Sequence, residues 1–205
     1  MSQYLDETAS QTAGPYVHIG LIPAQAGFDI FQNNFHNQLT GAATQGERIR
    51  IEGYVLDGTG SPVRDALLEI WQANAAGRYN HPEDKQDKPL DPSFRGWGRT
   101  GTDFRTGLYH FDTIKPGALA TLSGKPMAPH INFWVAARGV NVGLQTRMYF
   151  ADESAANAND PLLRLIEQDS RRQTLIAPRE SRDGGVVYRF DIRLQGDGET
   201  VFLDV

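Results

Sequence analysis

Residues 186–194 read "VVYRFDIRL", a run in which Val186, Tyr188, Phe190, Ile192 and Leu194 alternate with Val187, Arg189, Asp191 and Arg193. Successive side chains on a β-strand point to opposite faces, so this spacing makes one face apolar and leaves the other charged. The same period recurs in "RIRIEGYVLD" at 48–57 through Ile49, Ile51 and Val55; the turn-rich "DGTGSP" that follows leads into "DALLEIWQA", which predicts a hairpin. Further strands are predicted at "GLYHFDTI" after the turn "DFRTG", at "HINFWVAARG", at "LQTRMYFAD" and at the terminal "TVFLDV". With 21 glycines and 11 prolines punctuating these short apolar runs, the pattern favours an all-β, antiparallel sandwich over an α/β fold.

One short helix interrupts the strands: Asp160 can cap it, Pro161 can take its first position, and Leu162, Leu163 and Ile166 make a narrow apolar stripe. Two segments lack the strand rhythm. Residues 1–47 read as an irregular N-terminal arm, and 79–100, "YNHPEDKQDKPLDPSFRGWGRT", read as a connection longer than compact domains ordinarily use. The 205 residues fit a single domain, with the arm at 1–47 and the sandwich core at 48–205.

Composition removes several function classes. The 20 basic and 25 acidic residues leave a charge of -5, and no Lys/Arg run could track phosphates, so nucleic acid is not an expected partner. No signal-peptide pattern opens the chain and no apolar stretch is long enough to span a bilayer, so a soluble cytoplasmic protein is expected. The absence of cysteine excludes disulfides, thiolate metal sites and a thiol nucleophile.

The chemistry-bearing residues are sparse. In "PHINF", His130 and position 132 fall on one face of a strand, the spacing of a two-histidine metal site, but position 132 is Asn132. On the residues alone, His130 is a core histidine with a satisfied hydrogen bond and Tyr79 a partly buried tyrosine at a loop end. Arg138 closes an apolar strand as a solvated end, on the strand parity of His130, Asn132, Trp134 and Ala136 and about 26 Å from His130 along a straight strand.

The run Gly53 to Tyr79, "GYVLDGTGSPVRDALLEIWQANAAGRY", has a G-x-V-x-D-x-x-G-x-P-V start, an E-I-W-Q-A-N centre and a final G-R-Y; "FDTIKPG" at 111–117 and "PHINF" at 129–133 add two more blocks. Together they resemble the characteristic segments of the intradiol ring-cleaving dioxygenases, whose sandwich core is prealbumin-like. "SQTAGPYVHIGL" at 10–21 and "YRFDIRLQGDGETVFLDV" at 188–205 resemble the alpha chains of the two-chain members that cleave protocatechuate.

The resemblance implies a ferric enzyme that opens a catechol ring between its two hydroxyl-bearing carbons with O2, its iron held by two tyrosines and two histidines. Tyr79 and His130 match the first of each pair. The second tyrosine position falls at Ala118 and Leu119, the second histidine is Asn132, and the family's arginine three residues before the first histidine is Met127. Hard donors that suit Fe(III) are therefore missing, and Tyr79 and His130 are expected to be relic ligand positions with no metal in this chain.

The resemblance further implies an obligate hetero-oligomer in which a homologous beta chain bears the Fe(III) and the substrates are protocatechuate and O2. The alpha chain then contributes an N-terminal loop, matched by Thr12, Gly14 and Pro15, and an arginine, matched by Arg138, to a cavity shared with that partner. Catalytic groups in this chain are expected to be none. Two other readings stand beside it: an autonomous catechol dioxygenase with replaced ligands, and a non-catalytic scaffold.

Overall fold

In the computed structural model, which describes residues 11–31, 36–121 and 123–204, the strands in chain order are β1 (Arg48–Leu56), β2 (Leu67–Trp71), β3 (Trp97–Gly101), β4 (Leu108–Ile114), β5 (Leu119–Ala120), β6 (Pro126–Met127), β7 (His130–Ala136), β8 (Leu144–Phe150), β9 (Ile176–Ala177), β10 (Arg179–Arg182), β11 (Gly185–Arg189) and β12 (Ile192–Arg193). The helices α1 (Val17–Leu21), α2 (Ser154–Asn157), α3 (Pro161–Leu165) and α4 (Asp169–Gln173) are single turns. One sheet runs β10-β11-β1-β12 with β4 on the other edge of β1, a second runs β3-β2-β7-β8-β9, and β5 and β6 form a two-stranded ribbon.

The alternation in the sequence sorts inward and outward residues as expected. Ile49, Ile51 and Val55 of β1 and Tyr109 and Phe111 of β4 face Leu68 and Ile70 of β2, Ile131, Phe133 and Val135 of β7, and Met148 and Phe150 of β8 in one buried core. Phe133 sits at its centre, with ring centroids 6.2 Å from Tyr109 and Phe111 and 5.2 Å from Phe190, edge-to-face or tilted as aromatic quadrupoles prefer. Most ladders are antiparallel, but β11 and β12 on β1, and β9 on β8, run parallel.

Three expectations are corrected. The hairpin of residues 48–73 does not form: β1 has β4 on one edge and β11 and β12 on the other, so no edge remains for β2. The turn itself is tight, with Val63 N–H donating to Val55 O at 2.8 Å, after which the chain crosses to the facing sheet and β2 pairs with β3 and β7. The terminal "TVFLDV" makes only an isolated bridge, Leu203 to Gln145; Val205 lies outside the described residues. The long connection ends earlier than expected, because Trp97 to Gly101 form β3.

The run 186–194 is split between β11 and β12 around Phe190 and Asp191. The break accommodates the backbone of β1, where a Cβ on Gly53 would lie 1.9 Å from the Phe190 carbonyl oxygen. Only a residue without a side chain permits that approach. In the arm, residues 1–10 and 32–35 lie outside the described residues; the remainder is anchored locally, with Leu39 buried and its N–H donating to Asp112 O at 2.9 Å along β4.

Candidate functional site

The two regions singled out by sequence sit at opposite ends of β7. At its first residue, His130 is buried and its Nδ1–H donates to Ala128 O at 2.8 Å, leaving Nε2 as the acceptor of a neutral ring. Asn132, next on the same face, donates from Nδ2 to Tyr79 Oη at 3.2 Å and to Trp71 O at 3.3 Å, and accepts at Oδ1 from Arg147 Nε at 2.9 Å. Tyr79 stacks on Trp71 with centroids 5.5 Å apart. Burial raises its pKa, against the opposing pull of Arg147 and Asn132, so it is held as a neutral phenol.

The position of the family's second tyrosine is filled by packing. Leu119 of β5 pairs directly with Met127 of β6, and Leu119 is buried. The positions matching the family's four ligands thus offer one neutral phenol, one imidazole nitrogen, an amide already engaged on both sides and an apolar side chain, a set that does not fit ferric iron. Among the described residues no three His, Asp or Glu side chains converge as a metal site.

Arg147 escaped the sequence reading. It enters because β8 pairs with β7 in a register that sets Asn132 opposite Arg147 and His130 opposite Tyr149. Tyr149 Oη donates to Asp160 Oδ1 at 2.9 Å, and Arg147 Nη1 approaches the same hydroxyl at 3.5 Å. Asp160, fully buried, caps α3 as expected by accepting from Leu162 N and Leu163 N, and its Oδ2 also accepts from Ala128 N. A cavity of about 670 Å³ opens here, lined in part by Trp71, Tyr79, Leu119, Met127, His130 and Arg147.

Burial, reinforced by the Arg147 charge, lowers the His130 pKa to about 4. The unfolded chain, with an ordinary histidine near 6.5, binds the proton first as pH falls, so the contribution of His130 to stability is complete above about 6.5 and is lost down through about 4. The expected result is that chemical denaturation at pH 7 and at pH 4.5 differs by about 2 kcal/mol more in the wild type than in His130→Gln. Equal pH dependence in the two proteins refutes a buried neutral His130.

At the other end, β7 stops at Ala136 and Arg138 stands in the turn beyond it, its side chain 61% exposed and its Nε 2.5 Å from Asp65 Oδ2. Thr12 docks on this turn: its Oγ1 accepts from Gly139 N at 2.8 Å and donates to Val140 O at 3.2 Å. Ala13 and Ile22 pack on Leu67, Trp134 and Ala136. Gly14 and Pro15 are exposed and lead into α1, with Val17 N bonded to Gly14 O at 3.3 Å. The structure therefore brings Thr12 to the Arg138 turn, and keeps both away from Tyr79 and His130. Tyr16, exposed at 77%, stands on the same segment.

A family model described as "Dioxygenase" (Dioxygenase_C) matches residues 25–196. The chain is 50% identical over 202 residues to the protocatechuate 3,4-dioxygenase alpha chain of Pseudomonas putida, covering 98% of each. It is 43% identical over 163 residues to the protocatechuate 3,4-dioxygenase beta chain of Burkholderia cepacia, covering 76% of this chain and 67% of that one. In fold it matches the dioxygenase domain of a dioxygenase carbohydrate-binding protein fusion from Streptomyces sp. SirexAA-E, with a TM-score of 0.58 and 24% identity over 93% of this chain and 99% of that one. No helix among the described residues is long and apolar enough to cross a membrane. The chain belongs to the intradiol dioxygenase family, and along nearly its whole length it is similar to a protocatechuate 3,4-dioxygenase alpha chain.

Proposed function

We propose that this chain is the iron-free alpha subunit of a protocatechuate 3,4-dioxygenase and completes the active site of a homologous, iron-bearing beta chain. The pair converts protocatechuate and O2 to 3-carboxy-cis,cis-muconate. The observation that carries this reading is the state of Asn132. At the second-histidine position, its amide is committed to Tyr79 on one side and Arg147 on the other, so the relic position Tyr79 is tied into a side-chain network, while His130 is held separately through Nδ1 on Ala128 O.

Thr12, Gly14, Pro15 and Arg138 then act across the interface. Protocatechuate carries a carboxylate opposite its diol, and a guanidinium suits that anion by charge and by its planar donor fork. Asp65 orients Arg138 from behind through Nε. Thr12, pinned to Gly139 and Val140, fixes the N-terminal segment as one wall of the shared cavity, where it limits the access of water. The ferric ion on the partner supplies the diol binding and the oxygen chemistry; this chain's residues hold and enclose the substrate.

Iron content provides the direct test. The chain produced without a partner is expected to hold no stoichiometric ferric iron and to lack the visible tyrosinate-to-iron absorption. Co-production with a beta chain that has both tyrosines and the His-x-His pair should give a coloured, active complex. One ferric ion per lone chain overturns the proposal and favours the autonomous catechol dioxygenase.

A further inference from the structure

We propose that the cavity at the His130 end of β7 is a binding site for an aromatic monocarboxylate, with the Arg147 guanidinium as its anion anchor. Arg50, Arg138, Arg182 and Arg189 each have a carboxylate within ion-pair distance. Arg147 has none among the described residues; its polar partners are the Asn132 amide oxygen and, at 3.5 Å, the Tyr149 hydroxyl. The buried Asp160 carboxylate, which accepts from the Tyr149 hydroxyl that Arg147 approaches, is already satisfied by Tyr149 Oη, Ala128 N, Leu162 N and Leu163 N.

The surroundings select the rest of the ligand. The Nε bond to Asn132 holds the guanidinium in one plane, which favours a planar, two-oxygen anion over a spherical one. The stacked Trp71 and Tyr79 rings and the paired Leu119 and Met127 side chains supply aromatic and apolar walls for a ring. A volume of about 670 Å³ is that of an ordinary small-molecule site. His130, neutral with Nε2 as acceptor, can take a hydrogen bond from a ring hydroxyl.

Glu83, Asp84 and Lys85 also line the cavity: Glu83 is exposed, and the Asp84 carboxylate is turned onto Tyr79 N at 2.7 Å and Gln86 N at 3.0 Å but keeps its negative charge, so an anion is held by Arg147 against that repulsion. The inference concerns side chains of this chain alone and does not rest on the proposed catalytic partnership, which Arg138→Ala tests separately.

Calorimetric titration of the full-length protein, purified with any chain that assembles with it, decides the matter, with benzoate and 4-hydroxybenzoate as probes and neutral benzamide as control. One set of benzoate sites per copy of this chain is expected to weaken by roughly 10- to 100-fold in Arg147→Gln, the scale of a lost charge-assisted hydrogen bond. Arg147→Lys keeps the charge without the fork and should recover part of the affinity. 4-Hydroxybenzoate should bind more tightly than benzoate to that same set, and the difference should vanish in His130→Phe. Unchanged number and affinity of benzoate sites in Arg147→Gln overturns the proposal. If that variant does not assemble, benzamide binding the wild type as tightly as benzoate at every site overturns it equally.

Discussion

Asp160→Ala is expected to destabilise the fold by about 3 to 7 kcal/mol, the largest effect of any single substitution in this chain's candidate site. Three separate losses add. The cap of α3 disappears, worth about 1 kcal/mol. Ala128 N and Tyr149 Oη, both buried donors, lose their acceptor, at about 1 to 3 kcal/mol each when no water replaces it. Asp160→Asn separates the contributions, because Oδ1 alone receives Leu162 N, Leu163 N and Tyr149 Oη, while Oδ2 receives only Ala128 N. With its oxygen in the Oδ1 place, asparagine keeps the cap and the tyrosine but turns an amide N–H toward Ala128 N–H. An intermediate loss of about 1 to 3 kcal/mol follows. Urea denaturation of the three proteins at neutral pH measures it. A loss below about 1 kcal/mol for the alanine variant would mean that water replaces the carboxylate and that the site is less sealed than its burial indicates.

Asp160 also shows how far one sequence carries. Its capping role was legible from the Asp-Pro pair and the apolar stripe after it, since both signals are local. Its bond to Ala128, which braces the approach to His130, was not, because it joins residues 32 apart in the chain. The same division runs through the fold. Period-two alternation located β1, β4, β7 and β8, because burial of one face is a property of a single strand. The false hairpin at 48–73 arose because that pattern says nothing about which edges are already occupied. Arg147 was passed over for the same reason: it is an ordinary outward arginine of "LQTRMYF" until the register places it opposite Asn132.

The candidate site divides similarly. Missing ligands are legible by residue type, since Ala118, Leu119, Asn132 and Met127 cannot be tyrosine, histidine or arginine. What replaced them is not: the Leu119 and Met127 pair and the Tyr79, Asn132 and Arg147 chain are products of packing. Strand parity for Arg138 also had no force, because β7 ends two residues before it. Its position is set instead by Asp65 and by the turn on which Thr12 docks.

Arg138→Ala is expected to lower kcat/KM for protocatechuate by roughly 10- to 100-fold in the assembled complex, mostly through KM. The carboxylate lies remote from the carbons where the ring opens, so its contact with Arg138 acts nearly alike on bound substrate and transition state, and such uniform binding appears in KM. The magnitude is that of a charge-assisted hydrogen bond, about 1.5 to 3 kcal/mol once a partner surface has covered the group. On the isolated chain, with the side chain 61% exposed, the same guanidinium would be screened and worth far less. Catechol, which has no carboxylate, should lose little. The variant also strands Asp65, so Asp65→Asn in the Arg138→Ala background serves as a control: it should not restore protocatechuate turnover if the lost term is the substrate contact, and should restore it if the loss comes from the unpaired aspartate. Steady-state kinetics on both substrates, at matched iron content, reads all of this. An equal fall on catechol would show that Arg138 holds the turn and the Thr12 segment in place and has no part in holding the substrate's anion.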